Sequence, residues 1–124
     1  SSIVVDYQHQ LLPSETFDGD KVWVIDALAK PDAPVVWSKV RLWISQTSLL
    51  QRKVEFYDEF DELVNVLTTY DVQTLGGRDV ATRMEMQPID KPGNKTVLIT
   101  HEAQFDFDID DDFFSQQQMK ALRD

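Results

Sequence analysis

The chain has 124 residues, 42% of them hydrophobic and 27% charged, with 22 acidic against 12 basic side chains, a net charge of −10 and no cysteine. One domain of this length buries a core without staples, its acidic surface argues against nucleic acid as a partner, and disulfide, thiolate and cysteine–zinc chemistry are ruled out. No apolar run approaches a membrane span, and the opening SSIVVDY has neither a basic region nor a signal-like stretch, which suits a cytoplasmic protein or a mature, trimmed form.

Hydrophobic periodicity is two almost everywhere. Tyr7 to Leu12 reads as a short strand stopped by Pro13, and Asp18-Gly19-Asp20 as a turn. Lys21 to Leu28 is a strand with Val22 and Val24 on one face and Trp23, Ile25 and Ala27 on the other. Pro31 and Pro34 bracket a loop, since proline cannot donate to a ladder. Val35 to Ser45, Leu50 to Asp58 and the β-branched run Leu63 to Val72 are the next strands. Gly76-Gly77 marks a turn before a strand over Val80 to Gln87, and Pro92-Gly93-Asn94 one before a strand over Lys95 to Phe105. Ser115 with Gln118 has the form of a capping box, which predicts one short C-terminal helix carrying Met119 and Leu122 on one face. The pattern is a meander of about seven antiparallel strands in a single domain.

Chemistry-bearing constellations are sparse. His9 and His101 lie near opposite ends of the chain, there is no G-x-S-x-G elbow, and parity sends His101 and Glu102 to opposite faces of a strand. The acids Asp106, Asp108, Asp110, Asp111 and Asp112 start like a calcium loop. Such a loop needs Gly at its sixth position and Glu at its twelfth, where this chain has Asp111 and Gln117. The run reads instead as a solvated acidic turn before the helix. Gly76-Gly77 precedes a strand, so the phosphate-loop geometry is missing. Asp58 and Asp61 stand at turn positions, where Asp is common for backbone reasons. These readings lead to an expectation of no enzymatic activity.

What remains is an apolar pattern with two faces. Val40, Leu42, Ile44, Val54 and Phe56 share one face by strand parity. Trp23, Trp37 and Trp43 are rivals for lining whichever face is hollow. One short helix cannot cover both faces of such a sheet. The sheet therefore curls into a barrel or half-barrel, packs on segments outside this chain, or presents a surface to a partner or ligand.

The stretches VRLWISQTSLLQRKVEFYDEFDELVNVLTTYDVQ, GGRDVATRMEM, GNKTVLI and IDDDFFSQQQM, in this order, resemble the outer-membrane lipoprotein-sorting proteins, relatives of the periplasmic lipoprotein carrier LolA. The resemblance runs from about Asp6 to Leu122, and Trp43 through Asp58 is its most telling part. It implies a mainly β fold: a curved antiparallel sheet, an incomplete or half β-barrel, holding acyl chains of a lipoprotein in transit. It also implies the periplasm of a Gram-negative bacterium and no cofactor. Residues 1–124 would then be a single domain forming the C-terminal part of a longer protein, with exposed edges open to self-association. The resemblance implies a turn that in such proteins often carries Asp-Gly, where this chain has Phe60-Asp61-Glu62. The alternative expectation is an interaction module of an envelope export system, docking through edge strands or its acidic face, with an inner-membrane transporter as partner.

Overall fold

The computed structural model describes residues 3–104. Its strands are β1 (Tyr7–Phe17), β2 (Asp20–Ala29), β3 (Lys39–Ser45), β4 (Gln51–Tyr57), β5 (Leu63–Leu75), β6 (Arg78–Pro88) and β7 (Thr96–Ile99). They form one open antiparallel sheet in chain order, with β1 and β7 as its edges. No described residue is helical. The expected helix at Ser115–Leu122 and the acidic run Asp106–Asp112 lie outside the described residues.

Two-residue turns set the register. Asp18 and Gly19 both have positive φ (48° and 79°), as do Gly76 and Gly77 (58° and 83°). Each pair joins directly opposed residues, Phe17 with Asp20 and Leu75 with Arg78. Two positive-φ residues in a two-residue loop give the turn whose twist matches paired strands. Between β4 and β5 no Asp-Gly is needed. Asp58 accepts hydrogen bonds on its carboxylate from the amides of Phe60 and Glu62, and Asp61 takes the left-handed conformation.

Three strand limits differ from the sequence reading by four residues or more. β1 runs through Pro13, because the register shifts between Leu12 and Glu15 and the proline sits in that bulge on an edge strand, where no ladder hydrogen bond is lost. β3 starts at Lys39, since Val35 to Ser38 form the end of a loop. There the Val35 amide bonds back to the Ala33 carbonyl and the Tyr7 hydroxyl donates to the Trp37 carbonyl at 2.8 Å. β7 ends at Ile99, so His101 lies beyond the strand.

Directly opposed residues share a face, and the register therefore sorts the whole sheet. One face is apolar: Ala27 opposes Val40, Ile25 opposes Leu42, and Leu42 opposes Val54, which opposes Leu67 and then Met86. Tyr7, Ala27, Val40, Leu42 and Val54 form its buried cluster. The other face is charged. Asp26, Arg41 and Glu55 stand in one row, and Val24, Trp43 and Lys53 in the next.

The charged face covers itself. Arg41 grips Asp26 with two bonds of 2.6 and 2.9 Å, and Asp26 is only 7% exposed. The Tyr57 hydroxyl donates to Glu55 at 2.8 Å, and the Lys39 ammonium lies 4.1 Å from the Tyr57 ring centre. Lys53 lies 4.6 Å from the Trp43 ring centre, over a small cluster of Val22, Val24 and Trp43. Long basic side chains spread their stems over the apolar atoms beneath and hold their charge in water. Farther along, Glu85 takes both Arg83 and Lys95, which hold its carboxyl below the usual range.

Two outcomes follow from this face. Removing Asp26 leaves Arg41 partly buried without its fork partner, so Asp26→Ala should lower the urea-unfolding free energy by about 2 kcal/mol. In a cycle with Arg41→Met the coupling should be about 1 kcal/mol; a coupling near zero would show that the pair contributes nothing as a pair. Burial, then the hydrogen bond to Glu55, pushes the Tyr57 phenol up to about 12. A folded-state value above the unfolded one gives stability that is complete below about pH 10. That stability is lost as pH rises through about 12. Tyr57→Phe should therefore flatten part of the alkaline fall in stability, followed by unfolding at pH 9 to 12, and an unchanged slope would refute the assignment.

Candidate functional site

The apolar face carries a cavity of about 250 Å³ over β3, β4 and β5. Val40, Leu42, Val54, Phe56 and Leu67 form its floor and wall. Ile3, Tyr7 and Trp37 border it at the end where the β2–β3 loop crosses. Trp37 packs on Phe56 with ring centres 5.5 Å apart, a tilted aromatic contact. The loop is pinned by the Tyr7 hydroxyl on the Trp37 carbonyl, and by the Ser38 hydroxyl on the Asp58 carbonyl. Burial first, then the nearby Asp6 carboxylate, holds the Tyr7 phenol above its ordinary value, so this bond is intact at neutral pH.

A second cavity of about 500 Å³ lies on the same face toward the other end of β4, β5 and β6. Leu50, Val80 and Met84 give it apolar walls, and Thr69, Arg78 and Thr100 give it polar groups. Asp79 borders it by its backbone position, while its carboxylate accepts from the Thr74 hydroxyl on the charged face. Gln51 lines both cavities, so they adjoin at its side chain, and the pair is called the groove, with Gln51 as its waist.

A bulge shapes that waist. Strict alternation from Phe56 and Val54 would put Arg52 on the apolar face. The register instead slips between Trp43 and Ile44, pairing them with Lys53 and Gln51. Arg52 turns to the charged side, where it bonds Asp20 at 2.6 Å and lies 5.0 Å from the Phe17 ring centre. The Thr69 hydroxyl donates to the carbonyls of Gln51 and Arg52 and holds the bulge. The groove thus meets a neutral amide where parity would have placed a guanidinium.

Of the residues singled out by sequence, Val40, Leu42, Val54, Phe56 and Trp37 line the first cavity. Ile44 and Trp23 oppose one another on the same face but line neither cavity. Trp43 lies on the charged face, opposite Lys53, with its indole N–H 3.3 Å from Glu15. Sequence reasoning missed Tyr7, Gln51 and Leu67. Leu67 sat in a predicted strand whose register to β4 was open, and Gln51 reaches the groove only because of the bulge. Among the described residues no cluster of His, Asp and Glu is arranged to hold a metal ion. The side chains of the groove offer contact area and a few hydrogen-bonding groups.

The same fold occurs in three solved structures. A DUF1329 family protein from Desulfovibrio piger superposes with a TM-score of 0.74 at 23% identity, and a domain from Vibrio parahaemolyticus named for outer-membrane lipoprotein sorting with 0.72 at 24%. A LolA superfamily protein from Nitrosomonas europaea gives 0.65 at 26%. They cover 93%, 93% and 94% of this chain, which spans about half of each of theirs: 48%, 48% and 52%. Comparison with curated proteins gives no match. A family model described as "Uncharacterized protein" matches residues 1–121, and the chain belongs to that family, built on a LolA-like open sheet.

Proposed function

We propose that this domain binds the acyl chains of a lipid or lipoprotein without making or breaking bonds, and that it works in the periplasm. The observation that carries the reading is the unequal treatment of the sheet's two faces. The charged face is closed by its own ion pairs. The apolar face holds an open groove floored by Val40, Leu42, Val54, Phe56 and Leu67. The structural likeness to a lipoprotein-sorting domain and a LolA superfamily protein supports it. Affinity would come from burying methylenes at about 0.8 kcal/mol each. That calls for a long apolar wall rather than a few polar hooks.

A fluorescent fatty acid tests this with neighbours on one strand. Leu67 faces the groove, and Val66 opposes Glu55 on the charged face. Leu67→Asn and Phe56→Ser should each weaken binding about tenfold, the equivalent of roughly two lost methylene contacts. Val66→Asn should change it less than twofold. Equal losses at Leu67 and Val66 would sink the groove assignment.

Pairing of copies through the open edges, and hand-over to an inner-membrane transporter, belong to the same proposal. Among the described residues β7 ends the sheet and exposes Val97, Leu98 and Ile99, with Leu98 at 59%. Unpaired, apolar edge strands accept further strands. Sedimentation equilibrium should show concentration-dependent association that Leu98→Lys weakens; a monomer at all concentrations would refute it.

A further inference from the structure

The groove differs in chemistry from end to end. Its Trp37 end is closed by side chains that are apolar, apart from a tyrosine hydroxyl already committed to the Trp37 carbonyl. Its far end is bordered by Arg78, Thr69 and Thr100 around Leu50 and Met84. At the waist stands Gln51, exposed and uncharged. From Phe56 to Gln51 the strand advances about 17 Å at ~3.3 Å per residue, the length of an extended chain of about a dozen carbons. A single unbranched chain can lie along that line. It would leave hydrocarbon against the Trp37–Phe56 pair and a polar head where a cation and a threonine hydroxyl can meet it.

We propose that the groove takes one single-chain amphiphile in one direction, with its methyl end at Trp37 and Phe56 and its polar head between Arg78 and Thr100. The proposal rests on the acyl-chain reading above and adds the direction, the path and the class of ligand: one long chain with a hydrogen-bonding head. Arg78 brings a positive charge to the head end, and the Asp79 carboxylate is turned to the other face, toward Thr74. The waist at Gln51 decides whether a chain can pass from one cavity to the other.

The unaltered chain can be tested with stearic acid carrying a nitroxide at carbon 5 or at carbon 16. The label near the methyl end should broaden the Trp37 indole N–H signal at least twofold more than the label near the carboxyl does. The Met84 methyl should show the opposite order. Equal or reversed broadening would overturn the direction while leaving acyl-chain binding intact. No broadening at either residue would overturn both. A second measurement uses Gln51→Trp, which fills the waist. It should weaken a 16-carbon fatty acid at least tenfold and leave an 8-carbon one within twofold of the unaltered chain. The same loss for both lengths would show that no chain threads from one cavity into the other.

Discussion

A sheet of one layer has to satisfy two faces, and the Asp26–Arg41 fork is the interaction that lets this one do so. Nothing in residues 3–104 forms a second layer. Without cover, the apolar atoms of Val22, Val24 and Trp43 would face water. The fork fixes Arg41 flat across neighbouring strands, between Asp26 on one side and Glu55 on the other. Lys53 and Lys39 then lie on aromatic rings in adjacent rows. Such pairs contribute little energy singly when exposed. Their structural effect is larger, because their stems shield the side chains beneath. One face becomes wettable and closed, and the apolar face is released from having to do the same.

Parity then becomes the instrument of function. A one-residue slip moves every side chain of a strand to the opposite face. This chain uses slips locally, as bulges. In β1 the bulge at Pro13-Ser14 puts Leu12 and Glu15 together on the charged face, where Glu15 meets the Trp43 indole. In β4 the bulge puts Arg52 and Lys53 together on that side and leaves Gln51 to the groove. An unpaired guanidinium on an apolar wall would be costly to bury and would oppose a hydrocarbon ligand. The bulge removes that conflict without changing the residue, and Thr69 fixes it through two backbone carbonyls.

These local slips mark the limit of what could be read from the sequence. Alternation in Lys21–Leu28, Val40–Ile44 and Val54–Phe56 was enough to predict the meander and to put Val40, Leu42, Ile44, Val54 and Phe56 on one face. It could not rank the two faces, because Trp43 and Arg41 on one side look as substantial as Leu42 and Ile44 on the other. Ranking needs the partners of Arg41 and Trp43, which come from β1 and β2, far away in sequence. Nor does alternation reveal a bulge: Arg52 and Gln51 exchange sides with no mark in the residues except a threonine 18 positions from Gln51. Pro13 misled in the opposite sense. It reads as a stop, yet on an edge strand a missing donor costs nothing.

The loop after β2 shows why a groove exists at all. Val35 to Ser38 could have extended β3, and their alternation suggests it. Pro31 and Pro34 instead start the segment as a loop, and the chain reaches the ladder only at Lys39. Trp37 is thereby freed from strand geometry, in which its ring would stand over the sheet at a fixed row. Tied by its carbonyl to Tyr7 and by its ring to Phe56, it closes one end of the apolar wall rather than filling it. A bulky residue inside a row would have completed a core, and the same residue at the end of the rows leaves a hollow. The difference between a packed row and a hollow is thus, among the described residues, a matter of where four loop residues join the sheet.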